Sequence, residues 1–256
     1  MLQNLKIYLV TLLILAFSCS NKVEKKNNSD NPINIKLKST EDMLKIIENT
    51  KWFGQSCVRI IFEGKTIYFD PYNISKVDKA DIIFITHSHK DHFSPENIRK
   101  IITPNTKIYA PLSTSMLLSD SGFVNVTAVK PFENFEIEGI KVSSVPAYNV
   151  VKTNFHSKEN NWLGYIVNLG GTNVYHPGDT ERIPEMKNFK TDIAFMPLGQ
   201  TYTMNNVEEA VEAVIDVKAK IAIPFHYGMY EGKVDDAEKF KELLNGKVEV
   251  IILKRE

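Results

Sequence analysis

Residues 86–93 read THSHKDHF, placing three of the chain's six histidines and an aspartate within eight positions. The preceding ADIIFIT is a continuous apolar run, typical of a strand buried on both faces. A strand that stops at Thr86 delivers the next residues to the rim of a sheet, where a loop can turn side chains toward a common point. His87 and His89, two positions apart, can project to one side and grip one ion, while Asp91 and His92 face a second position at the following turn. Imidazole nitrogen and carboxylate oxygen suit zinc, and also manganese or iron; the lack of thiolates argues against a structural cysteine site. The cluster has the capacity for two divalent metal ions. A solvated polar loop with accidental histidines is the alternative, and the His-x-His-x-Asp-His spacing is too specific to favour it.

Outward from this cluster, SCVRIIFEG and KTIYFDP read as a β-hairpin around Glu63-Gly64. Ser94 as N-cap and Pro95 in the first turn start a helix that runs to Ile102. KIYAP, VTAVKP, FEIEGIKVSSVP, YIVNLGGTNVYHPGD, DIAFMPLG and IAIPFHYG supply further strands, with turn residues between them, and KVEVIIL closes the chain as a strand. Helices are expected over residues 39–49, which open with Ser-x-x-Asp, over 205–217, which open with Asn-x-x-Glu, and over 235–244. This alternation of strands and helices is an α/β pattern.

The chain has 256 residues, 43% apolar and 24% charged, ordinary usage for one globular domain with a sizeable core. Thirty-one basic residues balance thirty-one acidic ones, so no long-range field gathers nucleic acid, and none is expected as a partner. At the N-terminus, Lys6, an apolar run over residues 7–17 and small residues at Ala16 and Ser18 have the layout of an export signal, residues 1–18. Cys19 then resembles the lipidated cysteine of bacterial lipoproteins, which implies a membrane anchor through an N-terminal lipid in the cell envelope. Cleavage after Ala16-x-Ser18 alone would instead leave a soluble periplasmic or secreted protein. Residues 19–38 are polar and read as a flexible tether, and 39–256 as the folded domain. The second cysteine, Cys57, lies in an apolar stretch and reads as a small core residue.

Taken in order, Asp70 in IYFDP, the cluster at 87–92, Asp179 in YHPGDT and His226 in IPFHYG resemble the signature of the metallo-β-lactamase superfamily. The likeness runs from about Trp52 to the C-terminus. WFGQS, VPAYN, PLGQTYTM and PFHYG bring the chain nearest to the single-domain metal-dependent hydrolases related to the bacterial ascorbate-6-phosphate lactonase. The resemblance implies an αββα sandwich of two facing mixed β-sheets flanked by helices, with a dinuclear site at one edge. Carried over, His87 and His89 hold one metal, Asp91, His92 and His226 hold the other, and Asp179 bridges them. Two cations flanking a water lower its pKa and hold the hydroxide for attack on a small ester, lactone, amide or phosphodiester, with Asp91 and Asp179 as the catalytic carboxylates. Asp70 would hydrogen-bond a ligating histidine from behind.

Two positions depart from the family pattern. Many members have a histidine where VPAYN has Asn149; either the amide or His156, seven residues on, would then complete the first site. Gln55 stands where WFGHS is common, and an amide cannot transfer a proton. His176, Tyr148, Tyr202 and Tyr227 lie beside motif residues and are candidates to support the site or line its pocket. A nuclease or phosphodiesterase of the same superfamily is the alternative activity, disfavoured by the neutral charge balance. The oxidoreductase branch usually has glutamate at the position of His89 and a flavin domain, and neither is seen. A lipid-anchored metal-binding sensor with little catalysis is the non-enzymatic alternative.

Overall fold

The computed structural model describes residues 32–256, with side chains from Thr40 onward. The expected export signal, Cys19 and the tether as far as residue 31 lie outside the described residues. Helix α1 spans Pro32–Glu48, so it starts seven residues before the expected position.

Strands β1 (Thr50–Gly54), β2 (Cys57–Phe62), β3 (Lys65–Phe69), β4 (Ile82–Phe84), β5 (Lys107–Pro111) and β6 (Val126–Val129) form one sheet in that order. β1, β2 and β3 are antiparallel, and β3 through β6 run parallel. The second sheet follows the order β13-β12-β11-β10-β9-β8-β7. Its strands are β7 (Asn134–Ile137), β8 (Ile140–Pro146), β9 (Leu163–Leu169), β10 (Thr172–His176), β11 (Ile193–Pro197), β12 (Ile221–Phe225) and β13 (Glu249–Val250). β7 to β10 are antiparallel and β10 to β13 parallel. Both sheets are therefore mixed.

Side-chain alternation explains how they stack. Ile67, Phe69, Ile82 and Phe84 join Val142, Leu163, Tyr165, Val167 and Val174 in a core shared by the two sheets. The intervening Tyr68, Ile83 and Ile85 belong to a second core, with Ile98 and Ile101 of helix α2 (Pro95–Ile101) and Leu118 of helix α3 (Leu112–Asp120). β4 is thus buried on both faces, as a continuous apolar strand should be. Beyond the other sheet lie α4 (Val207–Asp216), whose Val207, Ala210, Val211 and Val214 form an apolar stripe, and α5 (Asp236–Leu244). The result is the αββα sandwich that the motifs imply. Ser94 caps α2 by accepting from Asn97 N, and Asn206 caps α4 by accepting from Glu209 N. Sequence reading missed α3, because LSTSMLLSD buries Thr114, Ser115 and Leu118 while leaving Leu112, Met116 and Leu117 exposed. That leaves no apolar stripe to read.

Candidate metal centre

The parallel strands β3, β4, β10, β11 and β12 bring their C-terminal ends toward one edge of the sandwich, the place where open α/β sheets present side chains to ligands. Asp70 follows β3, the THSHKDHF loop follows β4, Asp179 follows β10, and His226 follows β12. Asp70 (φ 44°) and His226 (φ 56°) both adopt left-handed backbone, a costly conformation for a non-glycine residue and one that concentrates at functional sites. Gly178 (φ 65°) lets the turn before Asp179 press against the histidine loop. A Cβ there would stand 2.8 Å from Thr86 Cβ and 2.9 Å from the Leu163 carbonyl oxygen.

Asp179 is the centre of the arrangement. Its Oδ1 lies 3.2 Å from His92 Nε2 and 3.1 Å from His226 Nε2, and its Oδ2 lies 3.3 Å from His156 Nε2 and 3.9 Å from His87 Nε2. The two carboxylate oxygens therefore face two different sets of imidazoles. His87, His89 and His156 bring ring nitrogens within 4.8 Å of one another, and Asp91, His92 and His226 do the same with their ligand atoms. Among these groups and Asp179, the buried atoms His92 Nε2, His156 Nε2 and Asp179 Oδ1 make no hydrogen bond of regular geometry. Buried polar atoms left in that state cost free energy that a cation between them would remove, so the donor set fits divalent metal.

Electrostatics favour the same occupant. Burial, reinforced by the neighbouring His92, pulls His87 well below the ordinary histidine range, so its ring is neutral with a lone pair to donate. Burial also lowers His89, with His156 adding to the effect. Burial pulls His226 down as well, but Asp179 and Glu231 outweigh it and raise the ring to about 10. His92 is likewise held well above its ordinary value against burial, by Asp179 and Asp70. Those protons are what a bound cation would displace. Burial alone would raise Asp179, yet His226 and His92 keep it well below the usual carboxylate range.

Supporting contacts orient the rings. Asp70 Oδ2 lies 2.7 Å from His92 Nδ1, while Asp70 also accepts from the Thr86 amide and hydroxyl at 2.7 Å. Thr86 Oγ1 in turn lies 3.0 Å from His87 Nδ1. Gln55 is fully buried, and its Nε2 donates to Asp91 Oδ2 at 3.0 Å. The first cluster takes its third imidazole from His156. Asn149 sits behind that ring, donating from Nδ2 to the Tyr202 and Lys152 carbonyls, with Nδ2 also 3.3 Å from His156 Nδ1.

Three of the expected neighbours stand elsewhere. His176 is buried away from the cavity, stacked on Phe69 at 4.8 Å with Nε2 2.8 Å from the Ser56 carbonyl oxygen. Tyr227 is buried against Trp52, and Tyr148 donates its hydroxyl to Glu185 at 2.7 Å. Each lies next to a motif residue in sequence, but its side chain leaves the backbone in another direction. Tyr202 does line the cavity over the centre, a space of about 630 Å³ walled also by Tyr72, Phe155 and Tyr230.

Several residues that support the site escaped sequence reading, Glu231, Glu181 and Trp162 among them. Glu231, buried, lies 2.9 Å from His226 Nδ1 and accepts from Thr201 N, Tyr202 N and Thr203 Oγ1. Gly199 makes room for it, since a Cβ there would meet the Glu231 carboxyl at 1.9 Å. Glu181 accepts the backbone N–H groups of Val150, Val151 and Lys152, tying down the loop that carries His156. Trp162 packs its ring 4.7 Å from His87 and 5.5 Å from His156. Glu181 alone had a sequence cue, as an acidic residue two positions after Asp179.

Comparison with known proteins agrees with this fold. A family profile described as a β-lactamase superfamily domain matches residues 49–226. The chain belongs to the metallo-β-lactamase superfamily. Within that superfamily it is 30% identical to a UPF0173 metal-dependent hydrolase of Thermococcus onnurineus over 80% of this chain and 95% of that one. It is 33% identical to a UPF0173 metal-dependent hydrolase of Thermoplasma acidophilum over 77% and 92%. A solved Parabacteroides distasonis protein assigned as a metal-dependent hydrolase superposes with a TM-score of 0.71 at 31% identity, covering 81% of this chain and 93% of that one. Every candidate metal ligand, from His87 to His226, lies within the span that the superfamily profile matches.

Proposed function

We propose that the protein is a hydrolase of small carbonyl esters, lactones or amides that works with two divalent ions, zinc being the ion the donors suit best. The observation that carries this reading is the division of Asp179, one oxygen toward His92 and His226 and the other toward His156 and His87. His87, His89 and His156 would hold one ion, Asp91, His92 and His226 the second, and Asp179 would touch both. Bound there, the ions supply Lewis-acid polarisation of a substrate oxygen and acidify water toward neutral pH.

The chain's own groups do the rest. Asp91 is the proton acceptor: it lines the cavity, Gln55 holds its Oδ2, and its Oδ1 makes no hydrogen bond with a described residue. Asp70 and Glu231 hold His92 and His226 from behind, so that the Nε2 atoms face the centre. A cavity of about 630 Å³ with Lys90 as the one lysine or arginine lining it among the described residues suits a small substrate rather than a nucleic acid backbone. The N-terminal pattern supports export and anchoring through a lipid on Cys19. Cys19→Ala should then move the protein from the membrane to the soluble fraction.

To test the activity, purified protein loaded with zinc or manganese is assayed on lactones, thioesters and bis-nitrophenyl phosphate. We expect hydrolysis of a carbonyl substrate that chelation abolishes and His87→Ala lowers at least about 100-fold. Activity that survives both treatments, or that is confined to the phosphodiester, would overturn the reading.

A further inference from the structure

Four aromatic side chains from four separate loops converge on the mouth of the cavity. Tyr72 follows β3, Phe155 lies between β8 and β9, Tyr202 follows β11 and Tyr230 follows β12. Phe155 and Tyr202 meet edge to face at 4.9 Å and 84°. The Tyr72 and Tyr230 hydroxyls are in contact at 2.5 Å, which links a loop of one sheet to a loop of the other. Tyr202 and Tyr230 remain 39% and 55% exposed. Large aromatics are usually buried, so exposed ones gathered over a reactive centre mark a recognition surface. Beside them Lys90 makes no hydrogen bond or ion pair with any described residue, although it lines the same cavity.

From this we infer that the cavity is built for a substrate bearing a flat aromatic ring, gripped by Phe155, Tyr202, Tyr72 and Tyr230, with one acidic substituent that meets Lys90. The inference rests on the hydrolase reading for what is cleaved, but not for what is bound. A ring offers edge and face to these side chains together, while a flexible alkyl chain must be ordered to do the same and gains no ring–ring contact. One ammonium at the rim, unpaired among the described residues, selects one negative charge and leaves a polyanion unmatched.

Equilibrium binding to the metal-loaded full chain separates the parts, using 2-naphthylacetate, octanoate and 2-naphthylacetamide as probes. The two acids carry the same carboxylate, so any grip that the metal ions have on it cancels in their ratio. Naphthylacetate should bind about ten times tighter than octanoate, the worth of roughly two ring contacts. Phe155→Leu and Tyr230→Leu should each bring that ratio toward one, with metal content unchanged. Lys90→Gln should narrow the gap between naphthylacetate and its amide. A wild-type ratio near one, or a ratio that both leucine variants leave intact, overturns the ring recognition. An acid–amide gap that Lys90→Gln leaves intact overturns the role of Lys90. A chain that binds naphthyl probes tightly yet hydrolyses nothing sinks the hydrolase reading alone. Chelation-sensitive hydrolysis with no ring preference sinks this inference alone.

Discussion

Glu231 has no exposed side-chain surface and faces His226 Nδ1 at 2.9 Å, so the charge of the buried carboxylate is answered by the imidazole it orients. Burial alone would raise Glu231, yet His226 keeps it below its ordinary value. Glu231→Gln keeps an acceptor for the Tyr202 amide but removes the charge behind His226. If two ions bind as proposed, it should weaken the one at His226 by about 10- to 100-fold and leave the other in place, as read by competition with a chromogenic chelator. Equal retention of both ions would contradict the role. His176 gives a prediction about stability. Burial depresses this ring to about 4 from an ordinary 6.5. Above 6.5 the ring is neutral whether the chain is folded or unfolded. Between these values only the unfolded chain takes the proton, so stability falls as pH falls, and below about 4 the penalty is constant. At about pH 5 the loss is about 2 kcal/mol. Urea unfolding of wild type and His176→Gln at about pH 7.5 and about pH 5 should show that extra acid loss in the wild type alone.

Among the elements, the loop between β8 and β9 matters most, because it supplies both His156 and Phe155 without being a strand or helix where they stand. Its fixed position depends on Glu181, which collects three consecutive backbone N–H groups at 2.7, 2.6 and 3.1 Å. The Asn149 backbone N–H adds a bond of 2.7 Å to the His156 carbonyl. Glu181→Ala removes the acceptor from all three donors and should cost about 1–3 kcal/mol. Hydrogen exchange should quicken at residues 150–152 while β9 and β10 stay protected, and metal binding at the candidate set His87, His89 and His156 should weaken. Uniformly faster exchange across the second sheet would mean that Glu181 supports the fold rather than the loop.

For the whole molecule, two sheets meet at one edge and pool side chains that lie far apart in the chain. The contiguous His-x-His-x-Asp-His was legible because one loop holds four of its donors, and β4 was legible from its unbroken apolar run. Asp179 and His226 are single residues far along the chain from His92, too distant for spacing alone to join them to the cluster, and only the family resemblance did so. Glu231 acts through a ring nitrogen and backbone amides that only the fold brings near, so no local pattern announced it, and Glu181 had no cue beyond standing two positions after Asp179. Tyr148 and Tyr227 misled for the converse reason: proximity in sequence to a motif did not fix the direction of a side chain. The central claim is that Asp179 stands between two cations. Anomalous diffraction at the zinc edge from crystals of the zinc-loaded protein tests it directly. Two peaks about 3.5–4 Å apart, one beside each Asp179 oxygen, are predicted; a single peak, or peaks away from Asp179, would contradict it.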